Sequence, residues 1–255
     1  MSSVAADELS RIDQAFANNR LLATFAPDVR ALIEPHAEVV ELDAGTSVLR
    51  SGNQVEVTLF PYGPTMISMM VDLADGRSVE VASVGQEGAV GGIVSCGSAP
   101  AYTHAEVQVA GPALKVPMRA LEDAKSRSGF LAHLFCRYSD YLLAQVMQSV
   151  ACNAYHSIRQ RAARWLLTAQ DRAGDRLELT QEALAGLLGV QRTTVNAAIQ
   201  SLQEDGLINI RRGAVVVTDR AGLKHSACEC YARVDAHFTN ILGASGSGGT
   251  GPACD

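Results

Sequence analysis

A chain of 255 residues, 47% of them hydrophobic, holds one or two domains with real cores. It has no run of 18 apolar residues to cross a membrane, and its acidic N-terminus, MSSVAADELSRIDQAF, lacks the apolar centre of a secretion signal. A cytoplasmic, membrane-free protein is therefore expected, in which six scattered Cys (96, 136, 152, 228, 230 and 254) make no disulfide framework. The formal net charge of −6 argues against a polyanionic partner until its distribution is counted. Residues 156–224 hold ten Lys/Arg against seven Asp/Glu, and residues 1–155 hold ten against seventeen. An acidic half joined to a locally basic half is the asymmetry of a regulator that reads nucleic acid, although so modest an excess permits DNA binding without demonstrating it.

In chain order, Leu9 to Phe16 and Pro27 to His36 are expected as short helices. From Val39 to Pro117 the pattern turns to β. The runs VVEL, SVLR, EVTLF, MISMMV, SVEVASV, AEVQV and ALKV are separated by turn residues such as Asp43-Ala44-Gly45 and Ser51-Gly52-Asn53. Asp75-Gly76 is a hairpin signal. Such a count of strands suits a small antiparallel barrel or jelly roll. A short helix from Arg119 to Arg127 and a long one from Phe130 to about Tyr155 follow. Leu131, Leu134, Phe135, Tyr138, Leu142, Gln145 and Ser149 recur along the long helix at steps of three and four. At roughly 38 Å its apolar face is wider than one barrel covers, which predicts a coiled-coil-like seam between two copies of the chain, the alternative being a helix packed wholly inside its own chain.

Ser157 can cap the next helix, Ile158 to Arg172, whose Trp165, Leu166 and Leu167 point inward. The densest signal comes after it, in LELTQEALAGLLGVQRTTVNAAIQSLQEDGLINIRRGAVVVTD, residues 177 to 219. Thr180 is a candidate N-cap, Ala183, Leu184, Leu187 and Leu188 share one side, and Gly189 can end the helix in a left-handed conformation. After the turn Val190-Gln191, a second helix runs from Arg192 to about Asp205, with Val195, Ile199 and Leu202 as its buried stripe. Leu207 to Ile210 and Ala214 to Val217 read as two strands with Arg211-Arg212-Gly213 at their tip. This is the layout of a winged helix-turn-helix, which places its second helix in the DNA major groove. Arg192 and Asn196 are the first candidates for base contacts, followed by Thr193 and Gln200, because Arg pairs doubly with guanine and Asn or Gln with adenine. Thr180, Thr194, Arg211 and Arg212 suit phosphate oxygens. Leu223 to Leu242 is expected as one terminal helix, followed by the Gly/Ser-rich tail GASGSGGTGPACD, expected to be disordered.

The phrase LTQEALAGLLGVQRTTVNAAIQSLQEDGLI resembles the helix-turn-helix of the Crp/Fnr superfamily of bacterial transcription regulators, and DRAGLKHSACECY resembles a tail found in one of its branches. Where many members read Arg-Glu-Thr-Val-x-Arg, this chain has Arg192-Thr193-Thr194-Val195-Asn196-Ala197, so a different operator is expected. The resemblance implies an α+β chain in four parts: an effector-sensing β-roll like a cyclic-nucleotide-binding domain at 1–120, a dimerisation helix at 121–156, a winged helix-turn-helix with a terminal helix at 157–242, and the tail at 243–255. It implies double-stranded DNA, a second copy of the chain, RNA polymerase and an unidentified small-molecule effector as partners. Gly91-Gly92 and Thr103-His104 align with the Gly-Glu and Arg-Ser pairs that grip a cyclic nucleotide in this superfamily, and both charged grips are missing. Loss of the bidentate Arg removes a strong phosphate partner, so cyclic AMP is not expected to bind in the usual way. The glycines between Gly85 and Gly97 leave open either an anion cradle or a turn-rich barrel rim.

No cofactor is assigned. An N-terminal Cys cluster for iron–sulfur chemistry is absent, and His36, His104 and His133 are isolated haem candidates. No metal ligands are assigned either: His225 and Cys228 could share a helical face, but Cys228 and Cys230, two apart on one helix, would diverge. No catalytic motif is visible, so an enzyme is not expected. The alternative to a DNA-binding regulator is a ligand- or redox-sensing module that acts through protein partners, its DNA-binding domain vestigial.

Overall fold

Turn chemistry and alternation build the N-terminal half, as the strand pattern predicts. In the computed structural model, which describes residues 3–92 and 99–243, eight strands pair antiparallel in two sheets. The strands are β1 (Glu38–Leu42), β2 (Ser47–Leu49), β3 (Val57–Pro61), β4 (Met66–Asp72), β5 (Ser78–Val84), β6 (Val90–Gly91), β7 (His104–Val109) and β8 (Gly111–Pro117). One sheet runs β1-β8-β3-β6 and the other β2-β7-β4-β5. Leu59, Phe60, Ile67, Val84, Val107 and Leu114 fill the roll. The Asp75-Gly76 hairpin forms, with Gly76 at φ +81°, but its loop takes five residues, closed by the Leu73 N–H on the Arg77 carbonyl at 2.7 Å.

Three expectations about helices need correction. The first two helices are α1 (Ser3–Asn18), longer than expected, and α2 (Pro27–Arg30), only one turn long. A 3₁₀ turn at Glu34–His36 follows α2, where Pro35 has no N–H to continue an α-helix. After α3 (Met118–Arg127), the long helix α4 (Gly129–Tyr155) forms as predicted, but the stripe assigned to the seam is turned inward. Leu131, Leu134, Phe135, Tyr138 and Leu142 are buried within their own chain. Its exposed large apolar residues are Leu143 at 52%, Met147 at 61% and Val150 at 67%, spaced by four and three on another face, and Tyr155 at the helix end at 87%. The third correction is the terminal helix, which is two. α8 (Arg220–Ser226) and α9 (Cys230–Leu242) are separated by Ala227–Glu229, and the break turns Cys228 and Cys230 into the same buried cluster as Cys152.

Between these lie α5 (Ile158–Ala173), β9 (Arg176–Leu177), α6 (Gln181–Leu188), α7 (Arg192–Glu204), β10 (Ile208–Arg211) and β11 (Ala214–Val217). Ser157 and Gln160 form a reciprocal capping box at the start of α5. Trp165, Leu166 and Leu167 are buried as expected. They join a core shared with α6, α7 and the roll, because Met66 and Met70 of β4 belong to the same cluster. The tail from 244 onward, with Cys254, lies outside the described residues, as does Cys96.

Polar contacts fasten the parts together. Asn19 is fully buried and uses all its capacity: Nδ2 donates to the Pro61 and Gly88 carbonyls at 2.8 Å each, and Oδ1 accepts from the Leu21 and Leu22 N–H groups at 3.1 Å. Arg172 of α5 reaches into the roll to form a buried ion pair with Glu87 and donates to Ser83 Oγ at 2.9 Å. Trp165 Nε1 donates to Glu80 Oε2 at 3.2 Å.

Candidate DNA-binding surface and sensor loop

The helix-turn-helix is assembled by local chemistry. Thr180 Oγ1 accepts from the Ala183 N–H at 3.1 Å and so satisfies a donor that the first turn of α6 leaves free. Leu184, Ala185, Leu187 and Leu188 are buried, while Ala183, expected on that side, is exposed. Gly189 ends α6 at φ +65° and ψ +35°, the left-handed cap. A methyl on Gly189 would meet Val79 Cγ2 of β5 at 2.9 Å, so the turn also lies against the roll. Gln191 makes no side-chain cap for α7, as its poor capping chemistry implies. Val195, Ile199 and Leu202 are fully buried, joined by Ala198.

The opposite face of α7 stands in solvent. Arg192, Thr193, Thr194 and Gln200 are exposed, and so are Arg211 and Arg212 at the tip of the β10–β11 hairpin, where Gly213 takes φ +74°. Arg192 Nη1 lies 3.5 Å from Glu182 Oε2, with both side chains mostly exposed, and Gln200 Nε2 donates to Glu204 Oε1 at 3.0 Å. These weak surface contacts hold the two polar heads near the helix until a stronger partner competes. Asn196 differs from the rest. It is half-buried, and its Oδ1 is enclosed without a hydrogen-bond partner, so both ends of its amide reach a base edge only after a rotation. Sequence reasoning missed the residues that brace this helix. Arg159 pairs with Asp205 and donates to Ser201 Oγ at 3.1 Å, and Arg161 Nη2 donates to the Leu188 carbonyl at 2.6 Å. Their one signal is a pair of arginines two apart at the start of α5, a helix that also carries Arg164 and Arg172.

The sensor loop has a different character from an anion cradle. The Gly85 N–H goes to Glu87 Oε1 at 3.1 Å, the Gly88 N–H to the Gly85 carbonyl at 3.1 Å, and the Ala89 N–H to the Tyr138 hydroxyl at 2.9 Å. That hydroxyl in turn donates to the Ala89 carbonyl at 3.0 Å, and burial raises the Tyr138 pKa well above its usual value. The glycines are there for close approach. A methyl on Gly88 would overlap the Tyr138 hydroxyl, one on Gly91 the Val57 carbonyl, and one on Gly92 the Met118 sulfur. Gly91 lies in the β1-β8-β3-β6 sheet. Thr103 and His104 stand at the start of β7 in the other sheet, where His104 Nδ1 pairs with Asp72 Oδ2 at 2.9 Å. His36 and His133 are exposed.

The fold thus joins a β-roll, a long helix and a winged helix-turn-helix whose second helix is bared. Residues 160–226 match the Crp-like helix-turn-helix domain. The HTH-type transcriptional regulator Cmr of Mycobacterium tuberculosis (strain CDC 1551 / Oshkosh) is 36% identical over 52 residues, covering 20% of this chain and 21% of that protein. The chain thus spans about a fifth of the length of that curated relative. FixK2 from Bradyrhizobium japonicum superposes with a TM-score of 0.63 at 17% identity, covering 75% of this chain and 98% of that one. A Crp/Fnr-family transcriptional regulator from Thermus thermophilus does so with 0.61 at 19% identity, covering 74% and 98%. The architecture is that of the Crp/Fnr regulators, α+β, with a cyclic-nucleotide-binding-like roll and a helix-turn-helix. No described helix is long and apolar enough to cross a membrane.

Proposed function

We infer that the protein is a cytoplasmic, homodimeric transcription regulator, not an enzyme, that binds a palindromic DNA site through α7. The observation that carries this reading is the solvent-facing row Arg192, Thr193, Thr194 and Gln200, flanked by the wing residues Arg211 and Arg212. Arg192 is the leading base reader and Thr193 and Gln200 support it. Asn196 joins them after its side chain turns outward. Thr180, Thr194, Arg211 and Arg212 hold phosphates. Leu143, Met147 and Val150 form the seam on which two copies pair, with their recognition helices about 34 Å apart. RNA polymerase is the partner through which such a dimer acts. Its effector is a small molecule other than cyclic AMP held in the usual way. Support for that comes from the missing charged grips and from Gly91 and Gly92, which are packed against Val57 and Met118. Gly91, Gly92, Thr103 and His104 remain the effector positions that alignment nominates.

Genome-wide mapping of bound sites followed by gel shifts tests this. Arg192→Ala should cost about 1–3 kcal/mol on the cognate site and relax specificity there. Arg212→Ala should weaken all sequences alike and reduce the salt slope by about one. Unchanged specific affinity in Arg192→Ala would refute the base-reading role. A solution mass that remains that of one chain would refute the dimer, and tight cyclic AMP binding by calorimetry would refute the effector assignment.

A further inference from the structure

Three buried thiols and an imidazole converge where the long helix ends. Cys152 lies in the last turn of α4 and His156 is its C-cap; Cys228 lies in the break before α9, and Cys230 is the first residue of α9. One ligand atom from each of the four lies within 4.8 Å of all the others. Cys152 Sγ is 3.6 Å from Cys228 Sγ, and Cys230 Sγ is 3.4 Å from His156 Nδ1. A tetrahedral Zn²⁺ with Zn–S near 2.3 Å and Zn–N near 2.0 Å has ligand–ligand edges of about 3.5–3.8 Å. Two edges therefore already have about the required length, and the rest close by about 1.3 Å at most.

The surroundings suit a thiolate-bound cation. His156 turns its other nitrogen, Nε2, to Glu229 Oε2 at 3.3 Å, the carboxylate contact that fixes the tautomer of a metal-binding imidazole. Gln148 Nε2 donates to Cys230 Sγ at 3.0 Å. The charge of Arg164 acts on Cys152 and that of Arg161 on both Cys152 and Cys228, and each arginine keeps a buried Nε–H without a partner. Three thiolates and a neutral imidazole around Zn²⁺ leave a residual negative charge that these guanidinium groups offset. A polar cavity of about 340 Å³, lined by Gln145, Ser149, Arg164 and Tyr231 among others, reaches Cys230 and gives an ion a way in.

We propose that Cys152, His156, Cys228 and Cys230 form a closed structural Zn²⁺ site that clamps the start of α9 to the end of α4. Ser157 caps α5 immediately after His156, so the clamp sets the angle at which the DNA-reading domain leaves the long helix. Arg161 continues the connection to the carbonyl of Leu188 beside the helix-turn-helix turn.

The test uses the full chain, purified under reducing conditions, stripped with chelator, and titrated with Zn²⁺ alone or Co²⁺ alone. One Zn²⁺ per chain is expected by elemental analysis. The Co²⁺ form should show thiolate charge-transfer and tetrahedral d–d absorption that Zn²⁺ abolishes. Chelator should lower the thermal midpoint of the wild type but not of Cys152→Ser or Cys228→Ser. Glu229→Gln keeps all four ligands and the fold, and should weaken Zn²⁺ binding about 10- to 100-fold. The proposal is overturned if the reduced chain takes up neither ion, if it isolates metal-free with a Cys152–Cys228 disulfide, if it carries an iron–sulfur absorption, or if Cys228→Ser binds Zn²⁺ as tightly as the wild type.

Discussion

Replacing Arg172 by Met takes the positive charge out of a buried ion pair and leaves Glu87 behind. The side chains are 7% and 10% exposed, so water cannot readily take over the lost contacts. The change removes both guanidinium contacts to Glu87 and the donations to Ser83 Oγ at 2.9 Å and to the Ser83 carbonyl at 3.2 Å. Glu87 then keeps the Gly85 N–H at 3.1 Å. Breaking a buried pair from one side costs about 3–5 kcal/mol, because a desolvated charge is left uncompensated, whereas neutralising both partners costs far less. Arg172→Met alone should therefore lose about 3–5 kcal/mol, and Arg172→Met with Glu87→Gln should recover about half of that or more. The single tryptophan, Trp165, sits on the same helix against Glu80 of the roll and reports the separation of the two domains by its fluorescence in urea. A single variant within about 1 kcal/mol of wild type, or strictly additive losses across the double-mutant cycle, would refute the claim that this pair fastens α5 to the roll.

Two further outcomes follow from the same interface. Burial raises the pKa of Glu80 above the ordinary carboxylate value, so the native state holds that proton more tightly than the unfolded chain does. Stability from this group is then fully present below the unfolded value and falls as pH rises through the higher folded one. A glutamine oxygen can still accept from Ser68 and Trp165, so Glu80→Gln should raise the urea midpoint at about pH 7.5 and change it little at about pH 4. A lower midpoint at the higher pH would contradict this. Gly189→Ala places a Cβ in a left-handed conformation and 2.9 Å from Val79 Cγ2, and should cost about 1–2 kcal/mol. Val79→Ala in that background should return the steric part, and no recovery would mean that the turn does not press on β5.

What could be read from the sequence was written locally. Thr180, Gly189 and the Val195/Ile199/Leu202 spacing specify cap, turn and buried stripe within a short stretch, and the structure repeats them with small shifts. The long strands were visible through alternation and turn residues, whereas β6, two residues long, carries no periodicity. The continuous terminal helix failed for a physical reason: Ala227–Glu229 contains no Gly or Pro, so nothing local stops the helix, and the break is associated with burial of two thiols beside Cys152, 76 residues before Cys228. The seam on α4 was misplaced because apolar spacing alone does not say which stripe the roll consumes. The side chains assigned to the seam pack inside, and the spare stripe is Leu143, Met147 and Val150.

Several contacts that the sequence does not reveal share a location, which bears on mechanism. Arg172–Glu87, Trp165–Glu80, Gly189–Val79 and the Cys/His cluster all join the DNA-reading domain to the roll or to the long helix. None touches the exposed face of α7, so each can change without altering the chemistry that would meet a base. On the proposed reading, a change in the roll acts on DNA binding by changing where the helix-turn-helix is held. A ligand in the roll has a direct route to that hold, because the loop from Gly85 to Ala89 bonds Arg172 through Glu87 and the long helix through Tyr138. Tyr138→Phe would test the route. Because the Ala89 N–H and carbonyl would lose their shared partner, a loss of about 1–3 kcal/mol is expected. A change in DNA affinity should accompany it even though Arg192 is untouched. A stability loss with unaltered DNA affinity would show that the loop supports the fold and does not transmit to the reader.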